Sequence, residues 1–150
     1  MKTYEKISLI ECKIDELFTF HLDLHNLQAI TPNDTKVKLL TEMFTPSKGD
    51  IFKIHTVKNF IPMVWEIEIQ ELTSPNLLVD IALQSPFSFW KHSHIFTDLG
   101  SGFCELKDKV EYKAPLGFLG RLFDFVVKYE LEKMFSYRHK VTKEMIGIEK

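Results

Sequence analysis

The chain has 150 residues, 45% hydrophobic and 27% charged, with 19 basic side chains against 21 acidic ones. That composition predicts a single domain over 1–150 with a substantial core, and it is neither disordered nor fibrous. The balanced charge, with no dense basic block, argues against a nucleic-acid partner, and the longest uncharged run, ten residues, is too short for a transmembrane helix.

Lys2, Glu5 and Lys6 put charge where a secretory leader would need its apolar run. Cys12 and Cys104 are too few for a disulfide framework and too far apart for a zinc knuckle, so reduced thiols in a cytoplasmic protein are expected. Thirteen Phe, four Tyr and two Trp are more ring than a compact core of this size needs. They fit a cavity with flat apolar walls, or more plainly a Phe-rich core.

In chain order, period-two alternation predicts strands at 3–12, 36–44, 50–58, 64–72, 77–84, 90–98 and 103–113, with all six prolines falling between them. The clearest alternations are Trp65-Ile67-Ile69, Leu77-Val79-Ile81-Leu83 and Cys104-Leu106-Val110-Tyr112. After the first strand, residues 15–22 read as a short helix with Asp15 as N-cap, and a second short turn follows around 26–30. From about 117 to 145 the period becomes helical. Leu119, Leu122, Phe123, Val126, Val127, Met134, Tyr137, Val141 and Met145 fall in one arc, and Lys128, Glu132, His139 and Lys143 fall opposite. The expected class is therefore α+β: a seven-stranded curved antiparallel sheet, two short helices after the first strand and one long C-terminal helix packed against the sheet.

Alternate connections of such a meander lie at opposite ends. Those at 45–49, 73–76 and 99–102 carry mostly ordinary polar turn residues. Those near 59–63, 85–89 and 114–120 are apolar, with Phe60, Ile61, Met63, Phe87, Phe89, Leu116 and Phe118. Three apolar loops at one end mark the mouth of a cavity, unless they plug that end or meet a partner protein or, transiently, a membrane surface.

Trp90, His92, His94 and Phe96 share one face of a strand; Cys104, Leu106, Asp108, Val110 and Tyr112 share one face of the next. The hairpin between them pairs Asp108 with His92 or His94, depending on register. The pair has three open roles: a structural network, a ligand-orienting or acid–base pair, or part of a metal site through His-x-His. Glu130 falls in the apolar arc of the long helix, facing a cavity, bonded to a strand side chain or turned away by local helix rotation. His21 and His25 are four apart but lack a third ligand, so no metal is expected, and no cofactor motif is present. With Trp65 from the sheet and Phe123, Val126, Val127 and Met134 from the helix, these groups are the expected walls of a site for a small hydrophobic molecule.

The run Pro86-Phe87, Trp90-x-His92-x-His94-x-Phe96, Asp108-x-Val110-x-Tyr112, Pro115-Leu116-Gly117, Leu119-Gly120 and Phe135-x-Tyr137-Arg138 resembles the START-like, helix-grip superfamily labelled SRPBCC. The similarity extends to Phe20-His21, Asn26-Leu27 and Thr31-Pro32, and is nearest to small bacterial single-domain members; Ser85, where glycine is expected, departs from it. The superfamily includes birch-pollen-allergen-like, polyketide cyclase/dehydrase and lipid-transport proteins. The resemblance implies a cavity between sheet and helix for a lipid-, polyketide- or isoprenoid-like guest. Some relatives only bind and others are cyclases, so an enzyme using His92, His94 and Asp108 is the alternative, and a protein-interaction module using the apolar loops is the third.

Overall fold

The computed structural model describes residues 1–42, 45–114 and 124–147. Its strands are β1 (Lys2–Glu11), β2 (Thr35–Leu39), β3 (Ile51–Lys58), β4 (Ile61–Thr73), β5 (Leu77–Gln84), β6 (Phe89–Gly100) and β7 (Phe103–Lys113). They form one antiparallel sheet in the order β1-β7-β6-β5-β4-β3-β2. β2 to β7 is a plain meander, and the first strand closes against the last. Residues 12–34 must therefore cross from one sheet edge to the other. They do so through α1 (Ile14–Leu22) and a 3-10 turn at Leu24–Asn26.

α1 has Asp15 and Glu16 in its first turn, where the helix dipole favours them. Asp15 is not the cap: Lys13 holds that place and offers no side-chain bond. The buried side of α1 is Leu17, Phe18 and Phe20. β2 is shorter than the alternation implies, ending at Leu39, with the Leu40 N–H still donating to the Lys53 carbonyl at 2.9 Å.

Burial alternates along β6 and β7 as the pleat requires, with Trp90, His92, His94 and Phe96 buried on one and Cys104, Leu106, Asp108, Val110 and Tyr112 on the other. The apolar stripe of β5 behaves differently. Its inward face is Leu78, Asp80 and Ala82, paired across to Leu72, Ile69 and Ile67 of β4, so Leu77, Val79, Ile81 and Leu83 lie on the outer face. Two register shifts in the β4–β5 ladder accompany this arrangement.

The long helix, α2, is described over Asp124–Ile146. Its fully buried positions are Leu131, Phe135, His139 and Thr142, a stripe rotated by about a third of a turn from the apolar arc read in the sequence, at about 100° per residue. His139, expected on the outer face, is buried, whereas Val126 and Met145 of that arc are exposed. The reason is that only part of the arc meets the sheet; Val126, Val127, Glu130 and Met134 border an internal space instead.

The core is accordingly divided. One cluster lies beneath α1, around Ile10, Leu17, Phe18, Phe52, Ile69 and Phe96. The other, Trp90, Val110, Tyr112, Leu131 and Phe135, joins α2 to the sheet. No helix among the described residues is long and apolar enough to cross a membrane.

Candidate functional site

Adjacent strands bring four polar side chains together on the concave face of the sheet. Register sets Asp80 directly opposite His92 and Asp108 directly opposite His94. Each carboxylate nevertheless bonds to the diagonal imidazole, within reach on a twisted sheet. His92 Nε2 lies 2.7 Å from Asp108 Oδ1, and His94 Nε2 lies 3.0 Å from Asp80 Oδ2. His94 Nδ1 also approaches Asp108 Oδ1 at 3.2 Å, an ion contact without hydrogen-bond alignment. The choice between His92 and His94 as the partner of Asp108 is thus resolved as both.

α2 adds a third imidazole. His139 Nε2 lies 2.6 Å from Asp108 Oδ2, and its Nδ1 lies 2.8 Å from Ser8 Oγ on β1. A single polar chain therefore runs from β1 through α2 to β7, β6 and β5. Burial alone would raise the Asp108 pKa, but the three histidines hold it well below the usual carboxylate range. Burial also opposes a charge on His94, yet the Asp108 and Asp80 carboxylates outweigh it and raise its pKa to about 9. His92 moves the other way, lowered by burial and then by the neighbouring charge of His94. Two stacked imidazoles 3.7 Å apart thus hold different protonation states near neutrality, a cation beside a neutral base.

Asp80, His92 and His94 place three possible metal donors within 4.8 Å of one another. The two rings, however, stack at an interplanar angle of 31°, so their in-plane lone pairs run nearly parallel instead of converging on one ion. As arranged, the trio is a hydrogen-bonded network. His21 and His25 do not form a helical pair either, because α1 ends at Leu22. His21 donates from Nδ1 to the Leu17 carbonyl and burial lowers its pKa to about 4, while His25 is outside α1, against Asp23. The two cysteines are buried and free, with Cys104 Sγ 3.3 Å from the Cys12 carbonyl.

The network borders a cavity of about 400 Å³ enclosed by the sheet, α1 and α2. Of the expected wall residues, Trp65, Trp90, His92, His94, Asp108, Val126, Val127, Glu130 and Met134 border it. Phe96 and Tyr112 do not. Phe96 packs under α1 against Phe18 and His21, and Tyr112 packs edge-on to Phe87. Of the expected mouth, Met63 and Phe87 border the cavity. Phe60 and Ile61 project outward from the β3–β4 hairpin, and Phe89 lies in β6 opposite Lys113. Phe123, Leu116 and Phe118 lie outside the described residues.

Glu130 both borders the cavity and bonds to a strand side chain, Lys58 Nζ. Lys133 pairs with Asp34 at the same cavity, and Asp23, which also borders it, pairs with His25. Among the described residues, one charged side chain at the cavity has no such partner: Arg138, whose Nε is buried without a hydrogen bond.

No protein-family model matches the sequence, and no curated protein is similar to it. Solved structures are similar along nearly the whole chain. A START superfamily protein from Mycobacterium smegmatis superposes with a TM-score of 0.68 at 12% identity, covering 96% of each chain. A Chromobacterium violaceum protein gives 0.77 at 11% identity over 98% of each chain. Ara h 8.0201 gives 0.62 at 13% identity, covering 94% of this chain and 97% of its own.

The fold is START-like. In this START-like chain, sequence reasoning missed Lys58, Asp80, Arg138 and His139. Asp80 was hidden because the conspicuous alternation in 77–84 belongs to the outer face; an acid inside an apolar strand was its one local signal. Arg138 stood in the motif carrying the resemblance but had no assigned role. His139 had no signal, since its burial follows from the position of Asp108 and not from helical periodicity.

Proposed function

We propose that this chain binds a small hydrophobic molecule between the sheet and α2. The carrying observation is the cavity, about 400 Å³, at the low end of the roughly 300–1,000 Å³ usual for ligand sites. Its walls include Ile67, Ile69, Leu78, Trp65, Trp90 and Met134, apolar groups from three strands and a helix. An apolar space of this size inside a domain is costly unless occupied, because its lining forgoes packing contacts. The START-like architecture supports the same reading. Reduced, buried thiols fit a cytoplasmic carrier.

The β3–β4 turn supports access at the end bearing Met63 and Phe87. Asn59 and Phe60 both have positive φ, 50° and 68°, and Phe60 is 98% exposed. A phenylalanine there bears backbone strain that its own contacts do not offset. We assign it to the outer lip of the mouth. Native mass spectrometry of protein isolated from its own host tests the proposal. The expected result is a bound lipid-like mass; a bare chain that also fails to take up a neutral apolar dye overturns it.

One observation favours a second reading, an acid–base enzyme of the cyclase or dehydratase type. Charged His94 and neutral His92 stand side by side on the cavity wall, an acid and a base ready at one pH. Asp80→Asn removes the Nε2 partner of His94 and leaves the Asp108 bonds to His92 and His139 in place. An enzyme loses turnover with this change while keeping its affinity; a carrier shows no turnover to lose.

A further inference from the structure

Arg138 is half-buried and borders the cavity. Its guanidinium carbon sits 5.5 Å from the centre of the Phe135 ring, a cation over an aromatic face. The remaining donors lack a protein acceptor: no carboxylate pairs with it among the described residues, and Nε has no hydrogen bond. Asp108 and Asp80 are close enough to favour its charge, but Asp108 is bonded to His92 and His139, and Asp80 Oδ2 to His94.

Guanidinium cannot neutralise itself by losing a proton at any physiological pH. A buried, unpaired charge is strongly destabilising, so buried charges are almost always paired. Among the described residues, the other charged groups at this cavity obey that rule. Thr56 Oγ1, on the same wall, is likewise buried without a partner.

We propose that the guest is an apolar monocarboxylic acid, its carboxylate seated on Arg138 and its body lying along the aromatic wall. The proposal rests on the ligand-binding reading above and names the chemistry of the ligand. A planar carboxylate matches the guanidinium fork bidentately. A single negative charge balances the single free positive one, whereas a phosphate ester carries nearly two and would crowd Asp80 and Asp108. At about 30 Å³ per water-sized group, the cavity holds a molecule of roughly a dozen heavy atoms.

Trp65 and Trp90 are the two tryptophans of the chain and both border the cavity, so intrinsic fluorescence reports occupancy directly. The full chain is titrated at pH 7.5 with decanoic acid and with decanamide, which has the same heavy-atom count and no charge. Decanoate is expected to bind about ten- to a hundredfold more tightly, the range of a charge-assisted hydrogen bond in a dry site. Arg138→Gln should abolish that preference, and Arg138→Lys should restore only part of it. Equal binding of acid and amide by the unaltered chain overturns the carboxylate assignment but leaves the ligand-binding reading standing. A preference that survives in Arg138→Gln overturns the role of Arg138. Binding of neither compound overturns both proposals. The comparison of acid with amide in the unaltered chain decides the matter even if the variants fold poorly.

Discussion

At the scale of single residues, Asp108 is the most heavily engaged group in the molecule. One buried carboxylate is approached by His92, His94 and His139, and through His139 it ties α2 to Ser8 on β1. Removing one member of a buried charged network typically costs about 3–5 kcal/mol, because the partners left behind stay desolvated. Asp108→Asn should therefore lose about that much stability in urea unfolding. Asp80→Asn, which loses one bond to a site with more remaining exposure, should lose under half as much. A pairing of Asp108 with a β6 histidine was legible in the sequence, since alternation fixes which side chains share a face. The third imidazole was not, because it comes from 31 residues away on a helix whose rotation periodicity misjudged.

At the scale of elements, α2 has two working faces. Leu131, Phe135, His139 and Thr142 press on the sheet, while Val127, Glu130, Met134 and Arg138 look into the cavity. Apolar periodicity cannot separate these, since a face lining an apolar cavity and one packed on a core have the same composition. Mutations distinguish them from the truly outer side. Phe135 is fully buried between Tyr4 and His92, and Phe135→Ala should cost about 3–5 kcal/mol in denaturant unfolding. Tyr129, 67% exposed on the same helix, should change stability by no more than about 0.5 kcal/mol when replaced by alanine.

At the scale of the whole molecule, two buried histidines give stability opposite pH dependences. The His94 pKa is raised from 6.5 to about 9, so the folded state holds a proton that the unfolded state releases. That contribution, about 3 kcal/mol, is full below pH 6.5 and is lost as pH rises towards 9. The His21 pKa is lowered from 6.5 to about 4, so there the unfolded state binds the extra proton. Its contribution is present above pH 6.5 and is lost as pH falls towards 4. Asp108, held well below its ordinary value, adds a further loss below about pH 4. A thermal-melting series should peak near pH 6.5 and decline on both sides. A plateau reaching pH 9 with no decline shows that His94 is not held charged by its two carboxylates.

The sequence by itself determined the order of strands and helices, the antiparallel meander and the inward faces of β6 and β7. These follow from local periodicity and from the short connections that prolines mark, which operate over a few residues. Tertiary structure alone decided which way β5 faces, how α2 is rotated and which charges meet. Those outcomes depend on ladder irregularities between β4 and β5 and on packing between segments far apart in the chain. The amphipathic character of α2 was legible, but the stripe that meets the sheet, Leu131, Phe135, His139 and Thr142, lies about a third of a turn from the apolar arc. Only the fold shows that Arg138 borders the cavity with no ion-pair partner among the described residues, because the nearby Asp108 and Asp80 are bonded to histidines from other segments.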